Sequence, residues 1–227
     1  MKIGFITTLN TNIGDDFIRT GIENIIFSLL DKERLQFTYV NKHQPETALS
    51  TRSPSILLNK LPDFKGKGRL KRILEKYYNK KFSVYSKQNL IIQSGAPFLW
   101  PNCYMNEWAE PIWYNAIGQL KEEIPTLNLA IGSCYPWENQ SEVFQNKKDE
   151  KYAQDIGSFC RITTTRDRLA SKLLHSVGVD NKLMPCTAFF VDNTYVNNEK
   201  GKYVLINYME GGGILIGSKT LTKKNGN

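Results

Sequence analysis

Two short polar constellations in this chain have the residue types needed to handle an anionic, hydroxyl-bearing substrate. The first, Asn12-x-Gly14-Asp15, follows an apolar strand-like run at the N-terminus. The second, Thr165-Arg166-Asp167-x-x-Ala170-Ser171, follows another such run far downstream. A guanidinium makes bidentate contacts with carboxylate or phosphate, so Arg166 is a candidate anion contact. The alternative is an Arg166–Asp167 pair at a helix start. Gly14 lets the backbone approach a ligand, and the helix that follows offers free N–H groups to an anion. Asp15 would compete with a phosphate there. It either orients a sugar hydroxyl, with Asn12 beside it as a second polar group, or caps the helix.

Two further glycines follow strand-like runs, in Ser94-Gly95-Ala96-Pro97-Phe98-Leu99-Trp100 and Gly132-Ser133-Cys134-Tyr135-Pro136-Trp137. Gly95 permits an unusual backbone angle at the sheet edge. Trp100, Tyr104 and Trp108 present aromatic faces suited to stacking on sugar rings, or else form a packed aromatic loop. The repeated strand–Gly–aromatic pattern suggests one shared cleft, to which Ser94, Gly95, Trp100, Gly132 and Ser133 contribute. His175 ends a helix and reads as structural; His43 sits in a loop with no clear role.

These positions require strands that deliver them to one edge. Residues 2–7, 36–40, 89–93, 126–131, 161–164 and 182–184 read as short buried strands. Between them, helical spacing appears from Phe17 to Leu30 and over 68–78, 106–122, 148–159 and 166–176. Asp15 or Asp16 is the expected cap of the first helix, and Pro111 the start of the regular part of 106–122. Residues 43–62, with three prolines, read as an irregular connection. Strands alternating with helices predict an α/β fold, a Rossmann-like parallel sheet with helices on both faces. Ligands of such sheets bind beyond the carboxyl ends of the strands.

With 41% hydrophobic and 23% charged residues, the composition is that of a globular protein. No apolar run approaches the roughly 20 residues that span a bilayer, and the N-terminal run is too short for a secretory signal. The expected compartment is the cytoplasm. Cys103, Cys134, Cys160 and Cys186 have no CxxC spacing and only two histidines accompany them, so reduced structural thiols are expected and no metal site. The net charge is +8, and the excess lies in residues 65–87, with Lys65, Lys67, Arg69, Lys71, Arg72, Lys76, Lys80, Lys81 and Lys87. This is either a solvated basic helix and loop or a contact for an anionic glycan or membrane surface. No nucleic-acid motif accompanies it, which leaves nucleic acid the least favoured partner.

Taken in order, these motifs resemble the polysaccharide pyruvyl transferase family. The resemblance rests on Asn12-x-Gly14-Asp15, Ser94-Gly95, Ile131-Gly132, Thr165-Arg166-Asp167-x-x-Ala170-Ser171, Gly178-Val179 and Thr187-Ala188-Phe189, and covers roughly residues 2–210. Cys186-Thr187 stands where the family often has Asp-Pro, so no acid is expected there. The resemblance implies transfer of the pyruvyl unit of phosphoenolpyruvate to sugar hydroxyls as a ketal, in surface polysaccharide biosynthesis. It also implies a two-domain GT-B-like fold with the active site between the domains, and no cofactor. The general acid and base are not identifiable. The other readings are a nucleotide-sugar glycosyltransferase on the same architecture and a non-catalytic carbohydrate-binding remnant.

Residues 1–198 are expected to form the first domain. Residues 192–202 read as a linker, and the strand-like 203–208 followed by Gly211-Gly212-Gly213 as the start of a second Rossmann-like domain, truncated within 199–227. The residues after Gly213 also permit a single-base frame shift, whose repair would give an amphipathic continuation. The alternative is a naturally short chain.

Overall fold

Seven short runs, most of them apolar, assemble into one parallel sheet: β1 (Lys2–Thr7), β2 (Gln36–Asn41), β3 (Leu90–Ser94), β4 (Pro97–Leu99), β5 (Thr126–Ser133), β6 (Ile162–Thr165) and β7 (Lys182–Leu183). Their order is β2-β1-β3-β5-β6-β7, with β4 paired to the end of β5. This is a Rossmann-like α/β fold. A computed structural model describes residues 1–49, 54–95, 97–136, 138 and 140–191. Ala96, Trp137 and the expected linker, strand and triple glycine of 192–213 lie outside the described residues. Among the described residues no helix is long and apolar enough to cross a membrane.

The helices are α1 (Ile13–Leu29), α2 (Pro54–Asn59), α3 (Lys67–Phe82), α4 (Gly118–Leu120), α5 (Lys147–Phe159) and α6 (Arg168–Ser176). Alternation along the strands sends side chains to opposite faces. Ile3, Phe5 and Ile92 pack with Ile18 and Ile22 of α1 on one face. Ile6, Ile91 and Ile131 pack on the other with Tyr85, Trp113, Tyr152 of α5 and Leu173 of α6. Helices therefore cover both faces. On the α1 face a 3₁₀ turn, Thr187–Phe190, is strapped to the helix. Thr187 Oγ1 donates to Ile18 O at 3.0 Å, and Asn24 Nδ2 donates to Phe190 O at 2.9 Å.

Three stretches differ from the sequence expectation. Residues 43–62 are not wholly irregular: they contain a 3₁₀ turn, Pro45–Ala48, and the short helix α2, which begins on Pro54. Proline suits a first helical position because that N–H has no intrahelical partner. Residues 97–99, expected as loop, form β4 against β5. The helix expected over 106–122 is a π-helix, Ala109–Ile117, that tightens into α4; the Gly118 N–H donates to both Ala116 O and Trp113 O. Pro111 lies inside its first turn rather than starting it.

Near the site the central strands are irregular. Asn128 pairs with Thr163 and Ile131 with Thr165, so β5 holds one residue more than β6 in this stretch, a β-bulge. Ala130 takes up the extra residue at φ 54°, and its N–H donates to Thr164 Oγ1 at 2.8 Å. Just past β3, Gly95 adopts φ 58°, and a Cβ there would fall inside the Ile18 side chain. Gly95→Ala therefore combines left-handed strain of about 1–2 kcal/mol with overpacking of about 1–3 kcal/mol. Urea unfolding should show a loss of about 2–5 kcal/mol; a loss below about 0.5 kcal/mol, within the ordinary surface range, would refute this packing account.

Candidate functional site

The carboxyl ends of β1, β2, β5 and β6 bring three charged side chains together. Lys42 follows β2 directly, and its N–H donates to Thr7 O at 2.8 Å, extending the β1–β2 pairing. Its Nζ lies 3.4 Å from Asp15 Oδ2, and both side chains are almost fully buried, at 6% and 4% exposure. The ammonium also sits 5.2 Å from the centre of the Trp108 ring. Burial pulls the Lys42 pKa below its ordinary value; the Asp15 carboxylate opposes that shift and the Arg166 charge adds to it. Arg166 is thus electrostatically coupled to the Lys42–Asp15 pair across the strand ends.

The position of Arg166 depends on its neighbours. Asp167, not Arg166, caps α6, accepting from Ala170 N at 2.7 Å. The same carboxylate accepts from Ser133 N and Ser133 Oγ, each at 2.7 Å. Asp167 thus joins the end of β5 to α6. Among the described residues Arg166 has no ion pair. The Arg166–Asp167 pair left open by the sequence does not form. Instead the guanidinium lies across Gly132, where a Cβ would come within 2.6 Å of Arg166 Nε and 3.0 Å of Asp167 Oδ2. Gly132 is the residue that makes room for the arginine.

The remaining expected residues sort into several roles. Asn12 is the cap of α1, its Oδ1 accepting from Gly14 N at 3.0 Å, so neither Asp15 nor Asp16 serves as the cap. A side chain one residue before the first helical turn can reach the N2 or N3 amide; Asp15 already lies inside that turn and pairs with Lys42. Gly14 is exposed and its N–H is committed to Asn12. Gly95 is explained by the approach of α1, and Ser133 by its two bonds to Asp167. Ser94 is buried, and among the described residues its Oγ has no hydrogen-bond partner, as is also true of Thr8 Oγ1 just past β1. Buried polar atoms without partners are uncommon in native proteins.

The aromatic residues form a packed loop. Trp100 meets Trp108 edge-on at 5.7 Å, and Tyr104 lies under Lys148 at 5.1 Å. Trp100 is half-buried and Trp108 buried, so Trp100 has the more accessible ring of the two. His43 Nδ1 lies 2.7 Å from Glu107 Oε1, and the His43 ring meets Trp108 edge-on at 5.8 Å. His175 Nδ1 lies 2.9 Å from Ser171 O at the end of α6, a structural placement. All four cysteines are free; burial holds the Cys103 thiol well above its ordinary range and pushes Cys160 up to about 12. Among the described residues no three His, Cys, Asp or Glu side chains converge as a metal site.

Sequence reasoning missed Lys42, Asp167 as a joint, and His43–Glu107. A signal for Lys42 existed: a lysine directly after a parallel strand stands at the edge where such sheets bind ligands. No protein-family model matches this chain, and no curated protein matches it either.

Breaking a buried pair from one side leaves an uncompensated charge, at about 3–5 kcal/mol. Asp15→Asn and Lys42→Met should each lose stability on that scale in urea unfolding. The double variant should lose clearly less than their sum; strict additivity would mean the two groups do not interact. The pH response has a defined sign. The folded state holds the Lys42 proton less tightly than the unfolded chain, so the unfolded chain binds more protons between the lowered folded pKa and 10.5. Across that window, stability of the wild type should rise with pH relative to Lys42→Met. A difference that stays flat or falls would contradict burial as the dominant cause.

Proposed function

We propose that this chain is a polysaccharide pyruvyl transferase-like protein that binds the anionic donor phosphoenolpyruvate at the strand ends around Arg166. The observation that carries the reading is an arginine with no carboxylate partner among the described residues, lying across Gly132 near enough for its charge to act on the buried Lys42. A donor bearing both a carboxylate and a phosphate is matched by two cations of this kind. The resemblance of the motifs in Thr165–Ser171 and Asn12–Asp15 supports the same reading. On it, the described sheet is the first domain of a GT-B-like pair acting in the cytoplasm, and basic residues of a second domain complete the donor site.

The chemistry this reading requires is proton transfer to the methylene carbon of phosphoenolpyruvate, which places oxocarbenium character on the central carbon. A sugar hydroxyl adds there and gives up its proton to a base. The carbon–oxygen bond to phosphate then breaks, and a second hydroxyl closes the ketal with loss of its proton. Arg166 holds the donor's negative charge through these steps. The Lys42 ammonium adds positive potential from below, and Asp15 fixes the Lys42 side chain. Trp100 offers the half-exposed ring against which an acceptor sugar stacks.

Isothermal titration of the chain with phosphoenolpyruvate, and separately with a nucleotide sugar, tests this. Phosphoenolpyruvate should bind, and Arg166→Ala should weaken it about ten-fold or more, since hydrogen bonds to charged groups contribute about 1.5–3 kcal/mol. Gly132→Val should do the same by displacing the guanidinium. Binding of the nucleotide sugar in place of phosphoenolpyruvate would assign a glycosyltransferase. If neither ligand binds, or if Arg166→Ala leaves phosphoenolpyruvate affinity unchanged, the proposed donor site is wrong.

A further inference from the structure

Helix α3 is turned inside out for a surface helix. Its polar Glu75 and Asn79 are buried, at 2% and 0% exposure, whereas Leu70, Ile73, Leu74 and Tyr77 are 40%, 48%, 40% and 71% exposed. Those four stand at i, i+3, i+4 and i+7, so they form one apolar stripe on the solvent side. Leu61 and Phe64, just before the helix, are also about half exposed, at 51% and 47%. A contiguous apolar face of this kind marks an interaction surface.

Its charge identifies the partner. Residues 60–87 hold ten Lys or Arg and two acidic residues, a balance equal to the +8 of the whole chain. Of the two acids, Glu75 is buried and Asp63 is engaged 3.0 Å from Lys67 Nζ. Lys60, Lys65, Arg69, Lys81 and Lys87 are exposed, so the outward surface is apolar and positive. A second copy of this chain would bring the same charge, and residues 192–227 are themselves net basic. A nucleic acid or a free acidic glycan would satisfy the charge and leave the stripe in water. An acidic phospholipid bilayer satisfies both, because basic amphipathic helices lie in the headgroup layer with their apolar face among the acyl chains.

We propose that α3 docks on an anionic membrane surface, with Leu70, Ile73, Leu74 and Tyr77 entering the interfacial layer and the flanking lysines contacting acidic headgroups. Co-sedimentation of the full chain with phosphatidylcholine vesicles, alone and with phosphatidylglycerol added, tests it. The chain should sediment with the anionic vesicles only, and less so as salt rises. Ile73→Ser/Leu74→Ser should weaken partitioning about ten-fold or more, and Lys65→Ser/Lys81→Ser several-fold. Lys65, Ile73, Leu74 and Tyr77 are exposed and make no hydrogen bond or ion pair among the described residues, Lys81 Nζ lies 5.6 Å from the centre of the Phe82 ring, and circular dichroism should confirm an unchanged fold. Tyr77→Trp should add fluorescence that shifts blue on anionic vesicles and is quenched by lipids brominated in the acyl chain. The proposal is overturned by equal binding to neutral vesicles, by no sedimentation, or by stripe variants that bind as wild type. It is also overturned if those variants instead turn a dimer into a monomer in light scattering, or abolish binding to RNA or heparin while leaving vesicles unaffected. Phosphoenolpyruvate affinity is read separately and should not move in these variants, so failure here leaves the donor-site reading standing.

Discussion

The site depends on a single carboxylate. Asp167 accepts three hydrogen bonds of 2.7 Å, two from Ser133 and one from Ala170. A carboxylate that satisfies backbone N–H groups at a strand end and a helix start holds both in one geometry. Among the described residues Asp167 forms no ion pair with the arginine beside it. The bulge at Ala130 and the bare surface of Gly132 complete the arrangement: β5 shifts by one residue relative to β6, and the guanidinium lies in the space a side chain would fill. Asp167 is therefore a positioning residue, and Arg166 is the group it leaves available.

The Lys42–Asp15 pair calls for a different account, because a buried ion pair is weak evidence for stability. Removing two charges from water costs several kcal/mol each, and hydrophobic residues of similar volume commonly do as well or better. Burial, the largest influence on Lys42, pulls its pKa down against the attraction of Asp15 at 3.4 Å. Perturbed groups of this kind concentrate where a fold handles ligands. The Trp108 face below the ammonium offers some compensation through its quadrupole.

The architecture was legible because it is written in periodicity. Apolar runs of four to six residues alternating with helical spacing leave few topologies besides a parallel sheet with helices on both sides. What escaped was set by single contacts. β4 is three residues long and forms only because the end of β5 is there to pair with it. The π-helix over Ala109–Ile117 has the same apolar residues an α-helix would have, and nothing in their spacing distinguishes the two. At the site, Arg166 could be selected by residue type, but its freedom from Asp167 could not, since that rests on where Ser133 ends up. Lys42 was hidden for the opposite reason: a lone lysine usually means solvent, and only the sheet register shows that this one points inward.

The basic helix and the site are linked through one element. Helix α3 packs on the π-helix Ala109–Ile117, and Trp108, the residue that opens that helix, forms the surface under Lys42. The buried side of α3 carries the polar Glu75 and Asn79, with Lys71 Nζ 3.9 Å from Glu75 Oε1 one turn away. A helix held in this manner can leave its apolar residues facing outward without losing its place in the fold. An ordinary amphipathic helix gains its anchorage from its hydrophobic face and has none left to offer a partner. On α3 the buried positions hold polar side chains and the apolar stripe faces outward. The inversion costs stability in water, since the stripe is never desolvated there.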